Sequence, residues 1–272
     1  MTISEKQISI IGCGWLGLPL AKKLVSHGYK IKGSTTSVSK LKNLKEVGIE
    51  PYHIQLYESK IIGDIDGFLA DSSLVIINVP PGLRKNPSKD HVAEITNLLQ
   101  AIQKTSVKHI LYVSSISVFE DDMNFPVITN RSVPNGTSNS AQQLIAIEKS
   151  ILALSKTDNS ILRFAGLIDD KRHPGNQLAG KSDLMNPEAP LNLIHKEDCI
   201  NIILKMIEQK VWGQVLNASY PYHPPKKEYY TTYSESKKLP FPSYVHSQPS
   251  KGKVIDSSEL ERLLHLSLRH RP

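Results

Sequence analysis

The chain has 272 residues and a formal net charge of +7, and 39% of its residues are hydrophobic. This length is enough to bury a full core without disulfides or a structural metal, so small stapled scaffolds are excluded. No apolar run reaches the ~18 to 20 residues of a membrane span, and an acidic side chain comes early in the sequence. We therefore expect a cytoplasmic protein with no membrane partner.

The basic excess does not indicate a nucleic-acid partner. Lysine and arginine are scattered in runs of at most two, and no zinc-finger or RNA-binding signature is present. The two cysteines, Cys13 and Cys199, lie far apart and neither belongs to a Cys/His cluster. We expect no nucleic acid and no metal, and a small anionic ligand explains the charge equally well.

Apolar runs and helical patterns alternate along the first two thirds of the chain. Such alternation is typical of βαβ units and a parallel sheet. The predicted strands are residues 8–11, 29–32, 50–56, 74–79, 109–113, 161–164 and 215–218. The predicted helices are residues 16–25, 40–47, 90–104, 141–154 and 197–208, the first of them closed by Gly28.

The rhythm changes after the sixth strand, where prolines and glycines break up the pattern. We predict a Rossmann-like domain over 1–165, which also receives segments from about 191–218, and a smaller substrate-binding lobe over 166–272. Residues 220–250 are rich in Pro, Tyr, Lys and Ser. A connector that packs on the lobe is the favoured interpretation, and a base-stacking surface is the alternative.

A glycine-rich turn follows the first strand and is the sharpest local signal. Gly12, Gly14 and Gly17 form a GxGxxG pattern between a strand and a helix. In such a turn the first glycine permits the tight bend, the second lets the backbone approach a pyrophosphate, and the third allows close helix packing. The pattern predicts dinucleotide binding. A ligand-free turn and a methyltransferase are the alternatives, and the lack of an acidic residue just before Gly12 argues against the latter.

The residues after the second strand indicate which dinucleotide is bound. An Asp or Glu there holds the ribose 2′-hydroxyl of NAD. Here the segment offers the hydroxyls of Ser34, Thr35 and Thr36, with Lys32 or Lys40 in reach, and no carboxylate. Hydroxyl and ammonium donors suit a 2′-phosphate better than a diol, so NADP is favoured and NAD is the second choice.

Several segments, taken in order, carry a family resemblance over essentially the whole chain. They are IIGCGWLGLPLA, GSTTS, ILYVSSISVFE, ILRFAGLIDDKRHPG, LNLIHKEDCI and GKVIDSSEL. Together they resemble the extended and atypical short-chain dehydrogenase/reductase superfamily, in its NAD-dependent epimerase/dehydratase family, and are most similar to the YeeZ-like subgroup. The resemblance implies an α/β fold, a Rossmann-like doubly wound parallel sheet with the cofactor at its carboxyl edge, and a smaller C-terminal substrate lobe.

The resemblance also implies roles for individual residues. It places the pyrophosphate loop at Gly12, Gly14, Trp15, Leu16 and Gly17, and the cofactor ribose beside Val79 and Pro80. Ser114 matches the end of the fifth strand and is expected to contact the cofactor. The resemblance puts Ser115 in the place of the family's catalytic Ser or Thr. His195 and Asp198 match a motif that mainly anchors the second lobe in relatives, so we expect a structural role for both.

One departure from the family pattern bears directly on catalysis. Active relatives use a Tyr and a Lys four residues later as the general acid/base pair, and these positions fall on Ser140 and Leu144. Another residue must then supply the proton. His173 lies on a loop that borders the substrate cleft in relatives, and we take it as the candidate, with Arg172 and Lys181 to hold an anionic substrate.

Two functions stay open. One is an NADP-dependent oxidoreductase or epimerase-like enzyme that uses a nonstandard acid/base on a small polar or nucleotide-linked substrate. The other is a non-catalytic dinucleotide-binding sensor. Related proteins often pair through the helices that here are 90–104 and 141–154, so we also expect a homodimer, although a wide core face explains the apolar surface of the second helix equally well.

Overall fold

The computed structural model describes residues 7–272, and these divide into two compact units. Within the described residues, the first unit comprises 7–115, 137–162 and 203–215, and the second comprises 116–136, 163–202 and 216–272. The second unit thus takes in a segment that precedes residue 165. The functional domain bounds of 1–165 and 166–272 stay a prediction, because compactness alone does not assign a function to either part.

A parallel sheet forms the centre of the fold. Its strands are β1 (Gln7–Ile11), β2 (Lys30–Thr35), β3 (Ile49–His53), β6 (Leu74–Ile77), β7 (His109–Ser115), β9 (Asp158–Phe164) and β12 (Val215–Ala218). The order across the sheet is β12, β9, β7, β6, β1, β2, β3. Strands β2 and β3 therefore extend the sheet on one side of β1, and β6, β7, β9 and β12 extend it on the other. In such sheets a ligand crevice forms at the carboxyl ends of the two strands where the direction reverses.

Short strands form three further two-stranded sheets. They are β4 (Gln55–Leu56) with β5 (Ile61–Ile62), β8 (Val127–Ile128) with β13 (Val254–Ile255), and β10 (Gly166–Ile168) with β11 (Leu193–His195). The helices are α1 (Gly17–Ser26), α2 (Leu41–Glu46), α3 (Ile65–Leu69), α4 (His91–Ile102), α5 (Asn139–Leu152), α6 (Pro174–Leu178), α7 (Lys196–Gln209), α8 (Lys226–Ser236) and α9 (Ser258–Leu264). None of these described helices is long and apolar enough to span a membrane.

Local sequence explains the elements next to the crevice. All four residues of β6 are buried and apolar, as expected for a central parallel strand. Helix α1 buries Gly17, Leu20, Ala21 and Leu24, which share one face. Gly28 ends this helix with φ +82°, and the N–H of Tyr29 donates to the carbonyl of Leu24, as a Schellman cap requires.

Two details of the predicted elements are wrong. The predicted third strand, 50–56, is divided: β3 ends at His53, and Gln55–Leu56 turns away to pair antiparallel with Ile61–Ile62. Helix α8 lies inside the stretch that we predicted to be a connector. It was missed because its polar sequence has no apolar stripe, and only Tyr230 and Ser234 are buried on it.

Candidate functional site

The three glycines of the first turn have different surroundings. A Cβ added to Gly12 would lie 2.4 Å from the carbonyl oxygen of Asn78, and one added to Gly17 would lie 2.2 Å from that of Gly12. Gly12 also has φ +98°, which disfavours any side chain. A Cβ at Gly14 would meet no protein atom within 4 Å. The protein's own packing requires glycine at the first and third positions, whereas Gly14 leaves space for something outside the protein.

Two polar side chains hold this turn in place. The N–H of Gly12 donates to Ser34 Oγ at 2.9 Å, and the N–H of Cys13 donates to the carbonyl of Ser34 at 2.8 Å. Asn78, which follows β6, donates its Nδ2 hydrogen to the carbonyl of Gly12 at 3.1 Å. Asn78 is a site residue that the sequence analysis missed. A single Asn after a strand gives no signal unless the turn it supports is already located.

A cavity of about 260 Å³ lies beside the turn in the first unit. Its wall comes from the carboxyl ends of β1, β2 and β6 and from α4, where the sheet topology predicts a ligand crevice. The described lining residues are Ile11, Gly12, Cys13, Gly14, Ser34, Thr35, Thr36, Lys40, Ile54, Leu56, Asn78, Val79, Pro80, Lys89 and Glu94. The lining combines apolar side chains with hydroxyl, amide and ammonium groups, a composition that suits a base joined to a ribose and phosphate.

The structure brings most of the predicted cofactor residues to this cavity. Of the candidates, Gly12, Gly14, Ser34, Thr35, Thr36, Val79 and Pro80 line it; among the described lining residues, Trp15, Leu16, Gly17 and Ser114 do not appear. Leu16 and Gly17 are buried at the start of α1. No cofactor contact of any of these residues is shown here, so their binding roles stay predictions.

The first turn of α1 has the properties of a phosphate site. Among the described residues no side chain caps this helix, and its first turn carries no acidic residue. The positive end of the helix dipole and the backbone N–H groups there attract an anion, and Gly14 leaves the approach open. The residues present therefore fit a dinucleotide pyrophosphate.

Lys32 is one of the two lysines predicted to lie in reach of a 2′-phosphate, and it is engaged outside the cavity. Lys32 is buried, and its ammonium donates to the carbonyls of Gly67 at 2.8 Å and Ala70 at 2.7 Å, so it holds the end of α3. Lys32 does not appear among the described residues that line the cavity. Lys40 does line the cavity and is exposed. It is the remaining cation for a 2′-phosphate.

An ionic group formed by Lys89, just before α4, and by Glu94 on α4 is another part of the wall. Lys89 Nζ lies 2.8 Å from Glu94 Oε2, and His91 Nδ1 lies 2.9 Å from the same oxygen. Burial lowers the pKa of His91 despite this carboxylate. The side chain of Gln143 fixes the segment, because it accepts from the N–H of His91 at 2.8 Å and donates to the carbonyl of Lys89 at 3.0 Å.

The positions assigned to the family's catalytic pair lie on α5, the helix that carries Gln143. Leu144 is buried in the core, and Ser140 is half-buried in the first turn. One turn further, Glu148 accepts a 2.6 Å hydrogen bond from Ser114 Oγ in a buried environment. Ser115 ends β7 and is half-buried. Its catalytic role stays a prediction.

His173 belongs to the second unit and has both ring nitrogens engaged. Its Nδ1 accepts from the N–H of Gly175 at 3.0 Å and caps α6, so the hydrogen of the neutral ring is on Nε2. Nε2 lies 2.9 Å from the hydroxyl of Tyr229, and the ring stacks on Tyr233 with centroids 3.8 Å apart. Burial, with a smaller effect of Lys237, lowers its pKa to about 4. This geometry favours a structural role for His173 over an acid/base role.

His173 also lines a cleft of about 460 Å³ that lies wholly within the second unit. Tyrosines from α8, the Tyr222 ring with Arg271 4.0 Å above it, and Lys237 contribute to the wall. Asp198 fixes the tail beside it by accepting from the backbone N–H groups of Arg269 and His270. The anchoring role expected for Asp198 agrees with these bonds.

Burial raises the pKa of Cys13 to about 12, so this thiol stays protonated and chemically inert.

On α5, Leu144 and Ile147 are buried within the chain, so the helix uses these apolar residues for its own core rather than for a partner. The homodimer stays a prediction that no observation here tests.

Residues 12–210 match the NAD(P)H-binding family. The chain belongs to this family. It is 30% identical to Protein YeeZ of Escherichia coli strain K12 over 259 residues, which is 94% of this chain and 93% of that protein.

Solved structures show the same fold. A short-chain dehydrogenase/reductase superfamily protein from Agrobacterium tumefaciens with bound NAD has 14% identity and a TM-score of 0.76, with 97% of this chain and 93% of that chain covered. A UDP-N-acetylglucosamine 4-epimerase from Bacillus cereus has 18% identity and a TM-score of 0.77, with 97% and 92% covered. The predicted family and the predicted Rossmann-like fold are confirmed.

Proposed function

We propose that this family member is an NADP-dependent oxidoreductase or epimerase-like enzyme that acts on a small polar or nucleotide-linked substrate. Dinucleotide binding is supported by the contrast among the three glycines of the turn. Of these three, only Gly14 would hold a Cβ with no protein atom within 4 Å. A bound nicotinamide supplies hydride transfer. The chain's own residues hold the pyrophosphate, the ribose and the base.

The choice of NADP rests on the cation at the adenosine end of the cavity. Thr36 and Lys40 are both exposed there. Glu94 is the single carboxylate among the described lining residues, and it is already paired with Lys89. A ribose diol therefore has no free carboxylate acceptor on this wall, whereas a 2′-phosphate meets an ammonium and hydroxyl donors. NAD remains the second choice.

The substrate class rests on the fold and on the second unit. Its cleft combines tyrosine rings with charged groups of both signs, which suits a polar ligand with ring faces and hydroxyl groups. The fold is shared with an epimerase of a nucleotide-linked sugar, which supports the same class. Ser115 is the preferred candidate for the catalytic hydroxyl, because both ring nitrogens of His173 already have hydrogen-bond partners.

A non-catalytic sensor is the second candidate. The burial of Leu144 favours it. This core position does not carry the lysine that holds a nicotinamide ribose and lowers the pKa of a tyrosine in active relatives. A sensor needs only the dinucleotide cavity and a response to its occupancy.

Calorimetric titration of cofactor-free protein with NADP(H) and NAD(H) tests the proposal. Micromolar binding of NADP(H), weaker binding of NAD(H), and loss of both in Gly14→Asp are expected. A panel of sugar nucleotides and small carbonyl compounds is then screened in two ways: NADPH oxidation by absorbance detects an oxidoreductase, and product analysis by chromatography detects an epimerase, which consumes no net NADPH. Either activity supports the enzyme, and binding without either supports the sensor. Absence of binding by either dinucleotide contradicts both.

A further inference from the structure

A second cavity of the first unit lies at the opposite edge of the sheet from the dinucleotide cavity. Its volume is about 170 Å³, and it is lined at the amino ends of β1, β6 and β7 by Ile8, Leu74 and His109. The remaining described lining residues are Tyr29, Ser73, Ser106, Lys108, Ile207, Lys210 and Trp212. Neither the family pattern nor the proposed function uses any of them.

Stacked aromatic rings form one wall of this cavity. The rings of Trp212 and His109 have centroids 4.7 Å apart and are inclined by 17°. Trp212 is only half-buried, so part of the indole lies open to a further ring. Flat contact with an indole is favourable for another planar ring, because dispersion and the ring quadrupoles add to the burial of apolar surface.

The ionic lining of the cavity is positive. Lys108 and Lys210 are exposed at its rim, and no Asp or Glu occurs among its lining residues within 7–272. Burial lowers the pKa of His109, so its ring adds no charge at neutral pH. The nearest acids are outside the lining: Asp158 lies 3.3 Å from His109 and is exposed, and Glu208 pairs with His27 at 3.2 Å.

The turn that presents Trp212 is conformationally costly. Lys210 follows α7 with φ +57°, a position where glycine is usual, and Gly213 has φ +71°. The N–H of Val211 donates to the carbonyl of Met206 at 2.9 Å, which closes the helix end. The lysine offsets part of its strain by facing the negative end of the helix dipole. A lysine rather than glycine here keeps a cation at the cavity rim.

We propose that this cavity is a binding site for a small planar aromatic anion, with its ring against Trp212 and its carboxylate or phosphate between Lys108 and Lys210. The volume of about 170 Å³ suits a single ring system. Tyr29, Ser73 and Ser106 add hydroxyl groups to the lining, and that of Ser73 already donates to the carbonyl of Gln7 at 3.1 Å.

Three matched probes separate the two parts of the recognition. Benzoate has the ring and the charge, cyclohexanecarboxylate has the charge without the flat ring, and benzyl alcohol has the ring without the charge. Titration of the full chain is followed through the indole N–H resonances of Trp15 and Trp212, assigned with Trp212→Phe. We expect benzoate to bind at least tenfold more tightly than the other two and to shift the Trp212 resonance alone.

Lys210→Gly is the decisive variant, because it removes the cation and relieves the left-handed strain together. We expect a higher thermal midpoint and benzoate binding weakened roughly fivefold to tenfold, so that the loss is not due to unfolding. Lys22→Met removes an exposed lysine of α1 and should leave benzoate affinity unchanged. Unchanged affinity in Lys210→Gly, equal binding of cyclohexanecarboxylate, or displacement of benzoate by NADP(H) overturns the proposal.

Discussion

The contrast between Gly14 and Gly17 gives a sharp test of the dinucleotide cavity, because one substitution should affect the ligand and the other the protein. In Gly17→Ala the new Cβ lies 2.2 Å from the carbonyl oxygen of Gly12 and 2.9 Å from the side-chain nitrogen of Asn78. Backbone and side chain must both shift. Overpacking of this kind costs about 1 to 3 kcal/mol, and we expect the free energy of unfolding to fall by that amount.

In Gly14→Ala the new Cβ meets no protein atom within 4 Å. The free energy of unfolding should therefore stay within about 0.5 kcal/mol of the parent. Dinucleotide affinity should still fall, since the methyl group occupies the approach to the pyrophosphate. Gly14→Asp adds a charge. A carboxylate about 4 Å from a phosphate is repelled by ~1 kcal/mol if fully solvated and ~4 kcal/mol near a protein surface, which is roughly a fivefold to thousandfold loss of affinity.

Urea denaturation of the ligand-free proteins measures the free energy of unfolding, and calorimetric titration with NADP(H) measures the dinucleotide affinity. We expect the two substitutions to affect different properties. Gly14→Ala should keep normal stability and bind more weakly, and Gly17→Ala should be less stable. A Gly14→Asp protein that binds NADP(H) as tightly as the parent would refute the placement of the pyrophosphate. A Gly17→Ala protein of unchanged stability would refute the packing argument.

Three further predictions follow from single side chains. Lys40→Met should weaken NADP(H) binding about fivefold and leave NAD(H) binding unchanged in the same calorimetric assay, because the exposed ammonium meets only a 2′-phosphate. Ser114→Ala should lower the free energy of unfolding by about 1 to 3 kcal/mol in urea titrations, since buried Glu148 loses a donor. The pKa of His173 falls from its ordinary 6.5 to about 4 on folding. Between these pH values the unfolded chain binds a proton that the folded chain does not. The free energy of unfolding should therefore drop by up to ~3 kcal/mol as the pH falls from 6.5 to about 4. His173→Asn, which retains an acceptor for the cap, should flatten that dependence in thermal melts.

The central sheet was predictable because each of its strands has its own local signal. Uninterrupted apolar residues at Leu74–Ile77 mark a strand buried on both faces, and Gly28 marks the end of α1. The break after His53 was not predictable, since residues 50–56 keep a strand-like composition throughout. The pairing of Gln55–Leu56 with Ile61–Ile62 depends on where the chain turns back, and a residue pattern does not encode that position.

A residue type that the backbone requires is the clearest sequence mark of the candidate site. Glycines at positions 12 and 17 are such residues, because any Cβ there strikes a carbonyl oxygen. The side chains that complete the cavity carry no such mark. Lys32 and Lys40 look equivalent in sequence, yet Lys32 reaches the carbonyls at the end of α3 and Lys40 lines the cavity. Only the packing of the folded chain separates them.

The first turn of α5 shows how this family member uses the place that its active relatives give to a catalytic pair. Asn139 donates to the carbonyl of Pro87 at 3.1 Å, and Gln143 binds the backbone on both sides of Asp90, so the turn fixes the segment that leads into α4. That segment brings Lys89 and Glu94 to the dinucleotide cavity. Restoring a lysine at Leu144 would bury an ammonium in the core, so chemistry cannot be regained there by one substitution. The hydrogen bonds from α5 to residues 87–91 therefore connect this helix to the wall of the cavity.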